Sequence, residues 1–178
     1  MSAPARRPAA PLDQDTFREA MSHLATAVSI VTTTDDHGRR WGFTAGSVVS
    51  VSLGPPLLLV GVDNRSSCLN ALTGSREFAV NVLGERHRHL ATLFARHGAA
   101  RFDGADAHAF GPWPGSQDGP PLLAGTNAAY RCTTVNSVPA GDHHLVIGQL
   151  TGLVTHERAE PPLVWYRRAF VTTGDPQQ

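Results

Sequence analysis

The sequence predicts a mainly β protein, an antiparallel barrel with a few helices. Three observations carry this. Short apolar stretches recur with hairpin-type turn residues between them, helical periodicity is confined to two or three short segments, and no βαβ alternation, internal repeat or second domain is visible.

The first element is a helix near Asp15 to Ala25: Thr16-Phe17-Arg18-Glu19 has the form of a capping box, and Phe17, Ala20, Met21 and Leu24 share one face. Ala27 to Thr34 reads as a strand with Val28, Ile30 and Thr32 in alternation, and Asp35-Asp36-His37-Gly38 is its turn. Trp41 to Leu53 returns as the second arm of a hairpin, and Leu57 to Asp63 is a third strand. A short helix over Ser66 to Leu72 starts on a serine cap. Glu77 to Leu83 alternates as a strand, with Phe78, Val80 and Val82 on one side. A second long helix spans Glu85 to His97, striped by Leu90, Leu93 and Phe94 and stopped by Gly98. Phe102 to Pro121 holds four glycines and four prolines and reads as an irregular loop. Two long strands, Ala128 to Ser137 and His144 to His156, close the chain around the loop Val138 to Asp142, and Leu163 to Tyr166 adds a short last strand.

The 178 residues suit one domain, expected over 13–172, with an Ala/Pro-rich leader over 1–12 and a tail over 173–178. Lys+Arg and Asp+Glu balance at 15 each, so no electrostatic footprint for nucleic acid or anionic membrane exists. Apolar runs fall well short of the ~20 residues a membrane span needs, and no secretory signal is present. The two cysteines, Cys68 and Cys132, have neither CxxC nor metal-ligand spacing, so a cytoplasmic location with reduced thiols is expected. The histidine pairs His87/His89 and His143/His144 lack a carboxylate at ligand spacing, and no metal site is expected.

The segment Gly42-Phe43-Thr44-Ala45-Gly46-Ser47 with Ser50-Val51-Ser52-Leu53-Gly54-Pro55-Pro56 stands apart. An ordinary strand carries larger β-branched residues. Small and hydroxylic residues instead bring backbone close to a ligand and offer it hydrogen bonds, so this strand edge is shaped for a flat polar molecule. Ser50 and Ser52, two apart, share a face. Asp63-Asn64-Arg65-Ser66-Ser67 places a cation and two hydroxyls before a helix N-terminus, an anion site that suits a phosphate-bearing ligand. Gly38 to Gly46 is not a dinucleotide fingerprint, since no helix follows it.

In these segments the chain resembles the flavin reductase-like, FMN-binding split β-barrel family, which includes reductase components of two-component flavin monooxygenases. Glu77-Phe78-Ala79-Val80-Asn81-Val82-Leu83, Gly141-Asp142-His143 leading into Val146-Ile147-Gly148, and Pro162-Leu163-Val164-Trp165-Tyr166-Arg167-Arg168 complete the resemblance, which runs from about Phe17 to Phe170. It implies an antiparallel Greek-key split barrel, a homodimer, and flavin bound along the serine-rich strand. Thr44, Ala45 and Ser47 match positions around the ribityl chain and isoalloxazine, Ser50, Val51 and Ser52 the stretch facing the flavin. Asn64, Ser66 and Ser67 match the phosphate-holding positions, and Arg101 a basic position near them. His143 falls in the family's Gly-Asp-His motif beside the nicotinamide pocket, and Tyr166 and Arg168 in the segment bordering it. Gly46 departs from the pattern, many relatives having Asn there.

The implied activity is hydride transfer from NADH or NADPH to FMN or FAD, with no side chain needed as acid or base. The expected partner is a separate monooxygenase that receives reduced flavin by diffusion. Two other functions suit the same residues: a flavoprotein that keeps its flavin and acts on an organic substrate, or a non-catalytic flavin- or haem-binding protein.

Overall fold

A computed structural model describes residues 12–103, 106–116, 118–156 and 160–173. Apart from Leu12 and Thr173, the expected leader and tail lie outside these residues. The chain begins with α1 (Gln14–Ser22), β1 (Thr26–Ala27), β2 (Ser29–Thr34), β3 (Arg40–Ala45), β4 (Val48–Leu53), β5 (Pro56–Asp63), α2 (Leu69–Gly74) and β6 (Glu77–Val82). There follow a 3-10 turn at Glu85–His87, α3 (Arg88–Ala95), a second 3-10 turn at Ala107–Ala109, β7 (Phe110–Gly111) and β8 (Leu122–Leu123). The last four elements are β9 (Ala128–Ala140), β10 (His143–Thr155), β11 (Leu163–Tyr166) and β12 (Ala169–Thr172).

Seven strands form the main sheet in the order β3-β2-β6-β9-β10-β5-β4, every pair antiparallel. Its two edges, β3 and β4, are consecutive in the chain and joined only by Gly46 and Ser47. Such a link reaches at most about 11 Å, so the sheet must curl until its edges meet. The result is a split barrel, and Gly61 N–H donates to Ser47 C=O at 2.9 Å, extending the β4–β5 ladder into the link. β11 and β12 form a smaller sheet with β1.

Val31, Val60, Val62, Phe78, Val80, Cys132 and Val146 fill the barrel, each contributing roughly 1.5–3 kcal/mol where a large side chain is fully buried. A second cluster, with Ile30, Leu90, Phe94, Phe110 and Leu163, lies under α3 and the C-terminal hairpin. β2 therefore buries both faces, Ile30 outward and Val31 inward, and its buried Thr32 and Thr33 hydroxyls donate to Pro121 C=O and Glu77 C=O. Asn81, fully buried in β6, is satisfied: its amide donates to Ile30 C=O at 3.0 Å, and its Oδ1 accepts from Leu123 N–H at 2.9 Å.

Several expected boundaries change. Trp41–Leu53 is not one strand, because Gly46-Ser47 hands the chain from one sheet edge to the other. Asp13, not Thr16, caps α1, accepting from Asp15 N–H and Thr16 N–H, and its carboxyl is held below the usual range mainly by the Thr16 hydroxyl. α2 begins at Leu69 with no side-chain cap, since the Ser66 hydroxyl accepts from Cys68 N–H one turn earlier. β9 runs on to Ala140, so the β9–β10 hairpin turns tightly on Gly141, φ +63°. The proline-rich loop contains the small β7–β8 ladder, and its Trp113 is buried. Among the described residues, no helix is long and apolar enough to cross a membrane.

Candidate functional site

The end of β3 and the Gly46-Ser47 link form one wall of a cavity of about 200 Å³. The last residues of β5, the start of β10 and the C-terminal end of α3 supply the rest. Thr44, Ala45, Ser47, Ser66, Arg101 and His143 all line it, although they come from four separate parts of the chain.

The backbone makes room. A Cβ on Gly61 would stand 3.0 Å from Ser47 Cβ, so the strand opposite must be bare there. A Cβ on Gly46 would meet Thr26 Oγ1 at 3.0 Å. Thr26 of β1 therefore stands against the side on which a side chain at this position would begin.

Polar groups divide into those already engaged and those open to a ligand. The Thr44 hydroxyl donates to Ala91 C=O at 2.7 Å. Arg101 braces the wall by donating to Gly42 C=O at 3.0 Å and Arg96 C=O at 2.6 Å, while its Nε is buried without a partner. Arg65, the cation expected at the anion site, is paired with Asp63 at 2.9 Å, which holds the Asp63 carboxyl well below its usual range. His143 Nδ1 lies 2.7 Å from Asp142 Oδ1. That contact holds Asp142 low in turn, and it fixes the imidazole with its proton on Nδ1 and Nε2 free.

Asn64 sits beside the cavity and not on its wall: its Oδ1 faces His144 Nδ1 at 2.7 Å, and its Nδ2 donates to Gly141 C=O at 3.4 Å. It straps the β5–α2 loop to the β9–β10 turn. Ser67 lines an adjoining cavity. Ser50 and Ser52 do share a face, with Val48, but over a different groove against Leu57, Tyr130 and Leu150. Val51 is the extra residue of a bulge between them and is exposed. Tyr166 and Arg168 lie in the C-terminal hairpin away from the cavity, where Arg168 pairs with Glu19 at 3.2 Å.

The cavity also takes in Gly61, Asp63 and His97, none anticipated as site residues. A lone glycine inside the apolar run Leu57–Val62 was the available signal, since such a glycine marks a close approach of backbone. His97 carried none. Among the described residues, no group of three or more His, Cys, Asp or Glu side chains is placed to hold a metal.

A pocket with a glycine-cleared floor, hydroxyls on a strand edge and a basic flank fits a flat, phosphate-bearing cofactor such as flavin. Comparison with known proteins agrees. An NADH:riboflavin 5'-phosphate oxidoreductase from Streptomyces pristinaespiralis is 49% identical over 156 residues, covering 88% of this chain and 86% of that protein. The reductase component of a flavin-dependent trigonelline monooxygenase from Acinetobacter baylyi is 37% identical over 88% of this chain, which spans 48% of that longer protein. Among solved structures, the NADH:FAD oxidoreductase of Streptomyces globisporus, in complex with NAD and FAD fragments, superposes with a TM-score of 0.83 at 27% identity, covering 97% of this chain and 100% of that one. The flavin reductase like domain itself matches residues 21–174, and the chain belongs to that family of flavin oxidoreductases.

Proposed function

We propose that this flavin oxidoreductase holds FMN in the cavity beside Gly46, takes hydride from NADH, and releases the reduced flavin to a separate monooxygenase. The observation that carries the proposal is the convergence of Thr44, Ala45, Ser47, Ser66, Arg101 and His143 on one cavity. FMN and NADH are favoured by the name of the Streptomyces pristinaespiralis relative, and a monooxygenase partner by that of the Acinetobacter baylyi one.

Bound flavin supplies the hydride acceptor, N5, so the protein's task is to bind and align two rings. Ser47 and the backbone around Gly46 would hold the flavin ring and ribityl chain, and Ser66 with Arg101 would hold the phosphate. His143 orients the nicotinamide through its free Nε2. The Ser47 hydroxyl and the backbone N–H groups of the link, fixed in place beforehand, would stabilise negative charge on a bound flavin, which is where such donors act most strongly.

The working unit is a cytoplasmic homodimer. Val49, Val51 and Leu53 on β4 are 54%, 52% and 94% exposed, an apolar edge that a second copy would cover. In that dimer Ser50, Val51, Ser52, Tyr166 and Arg168 serve the site from positions that one chain alone leaves outside it.

The test is the oxidation of NADH and NADPH by the purified chain with FMN, FAD or no added flavin. Turnover dependent on added flavin is expected. A yellow protein inert toward both nicotinamides overturns the proposal.

A further inference from the structure

We infer that Cys68 is a positioning residue for the phosphate end of the flavin, its thiol holding the Arg101 guanidinium in place. This rests on the flavin site proposed above, in which Arg101 and Ser66 take the phosphate. Cys68 is 1% exposed, so it acts through Arg101 and not on the ligand.

Three parts of the chain meet at the thiol. Cys68 is fixed by the first turn of α2, its C=O accepting from Leu72 N–H at 2.8 Å. Its Sγ donates to Gly42 C=O on β3 at 3.2 Å and accepts from Arg101 Nη1, after α3, at 3.4 Å. Arg101 Nη1 also donates to Gly42 C=O at 3.0 Å, so sulfur, carbonyl and Nη1 close a triangle. A thiol can fill its corner because it is donor and acceptor at once.

A guanidinium carries five N–H donors. Nη1 spends both of its hydrogens on the triangle, and Nη2 spends one on Arg96 C=O at 2.6 Å. Nε is buried without a partner. An unmet buried donor is costly, so the head keeps this pose only as firmly as its Nη contacts hold it. Among the described residues no carboxylate pairs with Arg101 to share that task. The remaining Nη2 hydrogen and the charge are what a phosphate would meet.

Cys68 also reaches the other phosphate residue, its backbone N–H donating to Ser66 Oγ at 3.2 Å. That backbone contact survives substitution at position 68, whereas the thiol contact does not. Mutation there therefore isolates the Arg101 arm.

The test compares Kd values for FMN and for riboflavin, the same ring system without the phosphate, read from flavin fluorescence. The variants are Cys68→Ala, Cys68→Ser, Arg101→Ala and the double variant of Cys68→Ala with Arg101→Ala. Cys132→Ala, which removes a thiol from the barrel core, is the control. Cys68→Ala is expected to weaken FMN about threefold or more while riboflavin holds within about twofold. Serine, which keeps a donor and an acceptor, should restore most of that loss. With Arg101→Ala already present, Cys68→Ala should cost FMN nothing further, the mark of two groups acting as one. Cys132→Ala should leave the preference for FMN over riboflavin as it is. A thermal melt checks folding, and Cys68→Val, unable to hydrogen-bond, replaces alanine if that variant does not fold. An unchanged preference in Cys68→Ala, both flavins weakened alike, or a loss that persists without Arg101 overturns the proposal. Wild type that binds FMN no tighter than riboflavin removes the phosphate end of the flavin site itself, and this role of Cys68 with it.

Discussion

Thr44 and Ala91 are joined by a 2.7 Å hydrogen bond from the threonine hydroxyl to the helix carbonyl, which anchors the wall of the proposed flavin cavity to α3. The hydroxyl hydrogen is thus spent on structure. Ser47, three residues on, has no side-chain partner among the described hydrogen bonds and lines the same cavity. Thr44→Val is therefore expected to lower unfolding stability by about 1 kcal/mol and to alter flavin affinity less than Ser47→Ala does. Urea melts and FMN titrations of both variants check this, and the reverse ranking would show that Thr44 serves the ligand first.

His143 is held by Asp142 with Nε2 free. His143→Ala is expected to raise the KM for NADH more than it weakens flavin binding. Asp142→Ala should move the same constant in the same direction by less, since the ring remains but loses its orientation. Unchanged nicotinamide kinetics in His143→Ala would remove the residue from the nicotinamide pocket.

His87 gives the fold an acid-sensitive point. Its ring is buried, its Nδ1 accepts from Gly84 N–H at 3.3 Å, and its Nε2 faces Ala124 C=O at 3.4 Å. Burial pushes its pKa below the ordinary value of 6.5, and a second proton on Nδ1 would point at another N–H. A lowered folded-state pKa gives stability that is complete above the unfolded value and is lost as pH falls toward the folded one. The melting temperature should start to drop below about pH 6.5, and His87→Gln should flatten that slope.

Gly148 is a packing requirement. A Cβ there would stand 2.7 Å from Phe78 Cε1 and 2.8 Å from Cys132 Cβ, both rigid core atoms. Gly148→Ala should cost about 1–3 kcal/mol, measured by chemical denaturation, while Gly74→Ala, whose added methyl meets nothing within 4 Å, should be far milder.

Neither cysteine should react with a thiol reagent in the native state. Cys68 and Cys132 are 1% and 0% exposed, and burial pushes the Cys132 thiol up to about 12. Both should titrate in denaturant. Rapid native labelling would mean that the barrel opens readily.

Local pattern made much of this molecule legible. The β2–β3 hairpin follows from Asp35–Gly38 and the α3 stripe from Leu90 and Phe94, and of the hydroxyls before Pro55-Pro56, Thr44 and Ser47 line one cavity. What alternation cannot show is which sheet edge a residue joins. Ser47 and Ser50 are three apart in sequence, yet they face different cavities because the chain changes edges at Gly46-Ser47 and bulges at Val51. Capping was misplaced for a similar reason: Thr16 and Asp13 both have capping chemistry, and only the helix axis decides between them. Arg65 looked like an anion ligand because its pairing with Asp63 depends on side-chain rotamers.

The two-residue passage from β3 to β4 ties the oxidoreductase's cofactor to its mechanical integrity. The seam of the barrel and the floor of the flavin cavity are the same stretch of backbone, so breathing of the seam and release of flavin share one coordinate. In the site proposed above, flavin would act there as a removable rivet. Loading it should slow amide exchange along β3, β4 and the adjoining part of β5, and raise the melting temperature as ligand concentration rises above Kd. An enzyme that hands its product flavin onward therefore passes, once per cycle, through its least braced form.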